Sequence, residues 1–121
     1  MSSAISIPNS RPHNVVAASA SPHLSWVVID CEHGAAGLHP GAGESVHAIA
    51  GLGPDAPSTI LRIPATGACA DGSANWQIKY VLDQGARGVL VPMVRDASVR
   101  LLRVGRLRST TLRVFVCYVL E

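Results

Sequence analysis

Three short runs of mainly hydrophobic residues mark the chain. They are Trp26–Ile29, Thr59–Ile63 and Gly88–Val91, and they are rich in valine, isoleucine and leucine with little polar alternation. Strands that are covered on both faces have this pattern, and sheets of such strands are usually parallel. The runs therefore predict a buried, parallel β-sheet.

The segments between these runs have helical periodicity. Apolar residues recur at positions i, i+3 and i+4, first at Val46, Ile49 and Ala50 and then at Ile78, Val81 and Leu82. Gly51 and Gly53 follow the first set, and Gly85 follows the second in a position suited to the left-handed conformation just past a helix end. Each segment is predicted to be a crossover helix between parallel strands.

The strands recur at about 30 residues, which is the size of one βα unit. Upstream, Ala4–Ile7 is predicted to be a further strand and Asn14–Ser19 a short helix, while Val99–Leu107 is predicted to be a helix downstream. The chain thus predicts about four βα units. Because a closed (β/α)₈ barrel needs roughly 250 residues, it corresponds either to half of such a barrel or to a small open α/β sheet.

Composition narrows the class of protein. With 121 residues, 48% hydrophobic and 15% charged, the chain is typical of one globular domain. Its apolar runs are far shorter than the roughly 18 residues of a membrane span, and Arg11 is the only basic residue near the N-terminus, so we expect a cytoplasmic protein without a membrane partner. The three widely spaced cysteines predict reduced thiols rather than disulfides or a zinc site.

The charge is uneven along the chain. Residues 1–94 carry four basic and six acidic residues, whereas residues 95–121 carry six arginines against Asp96 and Glu121. A basic segment can bind nucleic acid, but this one has neither interleaved aromatic residues nor a recognisable module. We therefore expect no nucleic-acid partner.

Asp30 and His33 follow the predicted strand Trp26–Ile29. A carboxylate that accepts a hydrogen bond from one imidazole nitrogen fixes the tautomer and leaves the other nitrogen free as a base. The spacing permits such a general-base dyad. It also permits the simpler interpretation, which spacing alone favours, in which Asp30 caps the turn and His33 is a solvated loop residue.

Arg62 lies within the predicted strand Thr59–Ile63. An arginine in an apolar strand is costly unless its guanidinium group meets an anion. It could therefore bind a substrate carboxylate or a keto oxygen, or form an internal salt bridge with Asp30 or Glu32.

Other candidate motifs are weaker. The spacing of His33, His39 and His47 matches no single-face helical pair, so a histidine zinc site is not indicated. The glycine-rich segments lack the strand-linked G-x-G-x-x-G pattern of dinucleotide-binding proteins. Trp26 and Trp76 are predicted to be core residues.

The combination of "SWVVIDCEHG", "ILRIP" and "QIKYVLDQGARGVLVPMV", in this order and at βα spacing, resembles the HpcH/HpaI aldolase family. These are metal-dependent, class II pyruvate aldolases typified by 4-hydroxy-2-oxo-heptane-1,7-dioate aldolase. The match covers about residues 22–96. The resemblance implies a (β/α)₈ barrel fold, commonly in a homo-oligomer, and reversible cleavage of a 4-hydroxy-2-oxo acid to pyruvate and an aldehyde.

The resemblance also implies roles for individual residues. His33 matches the family's base, which works through water, and Asp30 matches the partner of that base. Arg62 matches the arginine that stabilises the keto oxygen of pyruvate as it becomes an enolate. A divalent metal, Mg²⁺, Mn²⁺ or Co²⁺, is implied as a cofactor, but the family holds it with Glu and Asp residues on later strands, and these have no counterpart here.

The sequence departs from the family pattern after Asp96. We therefore divide it into residues 1–96, the N-terminal half of an aldolase-type barrel, and residues 97–121, a divergent basic and apolar tail in which "LRVFVCYVL" is β-prone. Two alternatives to an aldolase remain open. One is a non-catalytic, truncated fragment that docks on a homologue, and the other is a barrel of the citrate-lyase or malyl-CoA-lyase type, although "DCEHG" favours the aldolase branch.

Overall fold

The computed structural model describes residues 3–7, 11–35, 37–65, 73–93 and 113–116. Its strands are β1 (Ser3–Ile7), β2 (Leu24–Asp30), β3 (Ser58–Arg62), β4 (Gly88–Val91) and β5 (Arg113–Val116). Its helices are α1 (Pro12–Ser19), α2 (Gly43–Ala50) and α3 (Ser73–Asp83), and an irregular helical turn, Leu38–Ala42, leads into α2.

The five strands form one sheet in the order β1-β2-β3-β4-β5, and every neighbouring pair is parallel. The predicted parallel α/β fold is therefore confirmed. Each strand pairs with the next one along the chain, so the order of strands never reverses. This is how consecutive βα units are arranged in a (β/α)₈ barrel, whereas a doubly wound sheet reverses direction at a switch point.

The two faces of the sheet differ in what covers them. Because side chains alternate along a strand, Val27, Ile29, Leu61, Val89 and Val91 are buried together with residues of all three helices, namely Val15, Val46, Ile49, Ile78 and Val81. The residues between them in the strands, Trp26, Val28, Ile60 and Leu90, are only partly buried. The helices thus pack on one face of the sheet. This is expected because the crossovers are right-handed and the strands are added in one direction across the sheet.

The helix ends follow from local sequence. Arg11 is extended and Pro12 occupies the first turn of α1, where the fixed φ of proline suits a helix start. Gly85, two residues past α3, has a φ of 101°, which confirms the left-handed position predicted for it. A residue with a Cβ would be strained there.

Some expectations are corrected. Trp76 is not a core residue, since 59% of it is exposed on α3, and Trp26 is only partly buried. The helical conformation begins already at Leu38, ahead of the apolar residues whose periodicity predicted α2. The predicted helix Val99–Leu107 lies outside the described residues, and part of the β-prone tail segment is strand β5. Within the described ranges, the helices are too short or too polar to cross a bilayer.

Candidate active site

Strands β2 and β3 end side by side at the site. Asp30 is the last residue of β2, Arg62 is the last residue of β3, and the two are paired across the sheet. Paired residues of neighbouring parallel strands point to the same face, so the register alone brings a carboxylate and a guanidinium group together. The backbone ladder continues one step further, because the N–H of Cys31 donates to the carbonyl of Arg62 at 2.9 Å.

Arg62 is held between two carboxylates. Its Nε donates to Asp30 Oδ1 at 2.9 Å, its Nη2 donates to Asp30 Oδ2, and its Nη1 lies 3.1 Å from Glu32 Oε2. The carboxylate side chains are only 6% and 9% exposed, while that of the arginine is 29% exposed. The two-point contact with Asp30 fixes the plane of the guanidinium group as well as its position.

Asp30 also shapes the loop that follows β2. Its Oδ1 accepts hydrogen bonds from the backbone N–H groups of Glu32, at 3.0 Å, and of His33, at 3.1 Å. An aspartate that bonds its own backbone two residues on forms an Asx-turn. Asp30 therefore has two structural tasks, which are to turn the chain and to pair with Arg62.

The Arg62 guanidinium lowers the pKa of Asp30 to about 2, with burial opposing this shift and the two backbone N–H donors adding to it. Asp30 is thus ionised throughout the physiological pH range. Burial, with a smaller contribution from the charge of Asp30, raises the pKa of the neighbouring Cys31 thiol to about 11. Cys31 is consequently a neutral thiol and not an activated nucleophile.

His33 lies at the solvent side of the cluster. Its side chain is 73% exposed, and its Nε2 lies 3.6 Å from Oε2 of Glu32. Among the described hydrogen bonds, Asp30 receives the backbone N–H of His33 and not the imidazole. Of the two interpretations that the spacing permitted, these contacts match the one in which Asp30 caps the turn and His33 is a solvated loop residue.

The structure unites the three residues predicted for the site and adds a fourth. Asp30, His33 and Arg62 lie together at the carboxyl ends of β2 and β3, and their roles in catalysis remain predictions. Glu32 was considered only as a salt-bridge partner of Arg62. Its position in the sequence, two residues after Asp30 and just past the predicted strand, was the signal for a second carboxylate at the site.

The remaining histidines lie elsewhere. The ring of His39 contacts Tyr80 of α3, with a centroid separation of 5.4 Å, and His47 is exposed on α2. Within the described parts of the chain, no three His, Cys, Asp or Glu residues are grouped so that they could hold a metal ion. Both carboxylates beside Arg62 are already engaged by its positive charge. The described residues therefore do not fit the divalent metal that the family resemblance implies.

The sequence and the fold of the chain are each similar to those of known proteins. No family model matches the sequence. The sequence is similar to a hydroxypyruvate/pyruvate aldolase of Agrobacterium fabrum (strain C58), with 35% identity over 75 residues, which are 62% of this chain and 24% of that protein.

The fold is similar to the crystal structure of a HpcH/HpaI aldolase/citrate lyase family protein from Burkholderia cenocepacia J2315. The TM-score is 0.68 at 22% sequence identity, and the match covers 91% of this chain and 41% of that one. The fold is therefore the α/β fold of part of an aldolase-type barrel. The resemblance to HpcH/HpaI aldolases drawn from the sequence is confirmed, although the chain spans less than half the length of the proteins that it matches.

Proposed function

We propose that this chain provides the base and the anion-binding arginine of an HpcH/HpaI-type aldolase site, for cleavage of a 4-hydroxy-2-oxo acid to pyruvate and an aldehyde. The observation that carries the proposal is the cluster of Asp30, Arg62 and His33 at the carboxyl ends of two parallel strands. Strand ends of this kind are where barrel enzymes hold their catalytic residues. The similarity to a pyruvate aldolase supports the same chemistry.

In this proposal His33 moves the proton, through water. It takes the proton of the C4 hydroxyl group, the C3–C4 bond breaks, and the aldehyde leaves. The electron pair of the broken bond becomes the enolate of pyruvate, which is then protonated at C3. A solvent-exposed imidazole is suited to this task because the substrate and water can reach it.

Arg62 stabilises the charge that develops during this step. The keto oxygen becomes an enolate oxygen as the carbon bond breaks, and a fixed cation next to it lowers the barrier. Asp30 keeps the guanidinium group fixed through two hydrogen bonds. Since the described residues do not fit a metal, we assign no step to one.

The test is pyruvate release from a 4-hydroxy-2-oxo acid by the full 121-residue chain, measured with lactate dehydrogenase, with and without added Mg²⁺, Mn²⁺ or Co²⁺. We expect turnover that falls at least about 100-fold in His33→Ala, which is the usual size of a general-base contribution. His47→Ala is the matched control, because His47 is an exposed histidine on α2, away from the strand ends.

Two results would contradict the proposal. One is the absence of pyruvate release under every metal condition, and the other is equal turnover in His33→Ala and the unsubstituted chain. Circular dichroism of each variant separates a loss of chemistry from a loss of folding.

A second candidate function is non-catalytic: the chain would be a fragment that docks on an intact homologue. One observation favours it. The sheet face away from the helices carries the apolar residues Trp26, Val28, Ile60 and Leu90, which are only partly buried. In a closed barrel this face would line the interior. Size-exclusion chromatography with an intact aldolase homologue tests it: a joint peak supports docking, and two separate peaks contradict it.

A further inference from the structure

Glu32 occupies a position that links the other two charged groups of the site. Its Oε2 atom lies 3.1 Å from Arg62 Nη1 and 3.6 Å from His33 Nε2. We propose that Glu32, rather than Asp30, is the positioning residue for the imidazole of His33. The catalytic consequence of this inference rests on the proposed function, but the geometric consequence does not.

The three side chains differ in burial, and this difference indicates which of them is held in place. Glu32 is 9% exposed and is tied to Arg62, which Asp30 in turn holds with two hydrogen bonds. His33, in contrast, is 73% exposed. A carboxylate anchored in this way has few orientations, so it acts as the fixed partner and the imidazole as the mobile one.

The contact also selects between the two ring nitrogens. At 3.6 Å, Nε2 and the carboxylate attract each other electrostatically without a short hydrogen bond. A negative charge next to Nε2 favours the proton on that nitrogen. Nδ1, which then carries the lone pair, is the atom that accepts the proton from substrate or water.

This assignment leaves Asp30 with a different task. Both of its oxygens are engaged by Arg62, and Oδ1 also accepts two backbone N–H groups. It holds the arginine and the turn, while Glu32 holds the histidine. The two carboxylates therefore divide the work that the sequence alone assigned to Asp30.

The decisive measurement is the long-range ¹H–¹⁵N NMR spectrum of the histidine rings at a pH where His33 is neutral. We compare the full chain with Glu32→Gln and assign the His33 signals from their loss in His33→Ala. The chain is expected to show the Nε2–H tautomer, and Glu32→Gln is expected to move the Nδ1 and Nε2 shifts towards each other as the two tautomers mix. Glu44→Gln, which removes an exposed carboxylate from α2, should leave the His33 signals unchanged.

Turnover gives a second, independent readout. Arg62 keeps its contacts with Asp30 in Glu32→Gln, so we expect kcat to fall about tenfold, as for loss of a residue that orients a catalytic group, while KM changes less than about twofold. Glu44→Gln should match the unsubstituted chain.

The outcomes separate the two proposals. If the unsubstituted chain does not release pyruvate, the proposed function fails, and the ring-nitrogen shifts still decide the role of Glu32. Identical His33 shifts in Glu32→Gln and the unsubstituted chain would overturn the positioning role, and so would an unchanged kcat in an active enzyme.

Discussion

The two ends of the same strands have opposite characters. At the carboxyl ends of β2 and β3, Asp30, Glu32, His33 and Arg62 lie in one chain of polar contacts, none longer than 3.6 Å. At the amino end of β3 there is instead a groove of about 330 Å³, lined mainly by small, apolar and glycine or proline residues together with Gln84 and Arg87. This groove is thus not where the ionisable groups of the site meet.

This difference follows from how a parallel sheet is built. All strands point the same way, so their carboxyl ends share one edge and the loops that leave this edge can carry chemistry. The amino ends receive the chain from the helices, and short glycine-containing turns suffice there. Substitutions at the two ends should therefore have different consequences. One prediction compares the two ends directly, and two more concern the carboxyl end alone.

The largest effect is expected for Arg62→Met. The substitution leaves two carboxylates, 6% and 9% exposed, without their cation. Breaking a buried pair on one side costs roughly 3–5 kcal/mol, and because Arg62 itself is partly exposed we expect about 3 kcal/mol from urea unfolding. Arg87→Met, at the exposed amino end, should cost less than about 0.5 kcal/mol. Equal losses in the two variants would remove the contrast between the ends.

A smaller effect should appear as a pH dependence. The pKa of Asp30 is lowered from 3.8 to about 2, so the folded state favours the ionised carboxylate. The resulting stability, about 2 kcal/mol, is present above pH 4 and is lost as the pH falls through 2. The urea midpoint of the chain should therefore drop between pH 5 and pH 2.5 more than that of Asp30→Asn. An equal drop of the urea midpoint in the unsubstituted chain and in Asp30→Asn would show that Asp30 does not cause this pH dependence.

The smallest effect concerns Cys31, which lies between Asp30 and Glu32 in the sequence but belongs to the hydrophobic core. Its thiol is buried, and burial raises its pKa to about 11. We expect slow alkylation of Cys31 by iodoacetamide at pH 8 in the folded chain and fast alkylation in urea. Peptide mass spectrometry measures the extent of alkylation at Cys31. Rapid modification without urea would mean that the carboxyl end of β2 opens to solvent more readily than its packing indicates.

Local sequence predicted most of the framework. The apolar runs gave β2, β3 and β4 to within two residues, and the periodicity around Val46 and Val81 gave α2 and α3. These features are local, since hydrophobic period and glycine position act within one element. Trp76 was misplaced because a hydrophobic side chain is not necessarily buried, and its exposure on α3 depends on which side of the helix meets the sheet.

The site was predictable only in part. Asp30 and His33 could be found because charged residues directly followed an apolar strand, and Arg62 because its charge interrupted one. Their contacts could not be deduced, since spacing in the chain does not state which of two carboxylates the imidazole meets. The position of Glu32 next to His33 and Arg62 depends on the turn after β2 and on the pairing with β3.

The sequence by itself determined that the chain forms parallel βα units and which residues end their strands, because hydrophobic pattern and turn chemistry are properties of short segments. Only the tertiary structure decided which of the charged side chains contact one another. The register that sets Asp30 opposite Arg62 joins residues 32 positions apart, and the two bonds of that pair leave Glu32 as the carboxylate nearest to the imidazole. The physical reason is that charged groups act through space, over a few ångströms, whereas sequence patterns report only distance along the chain.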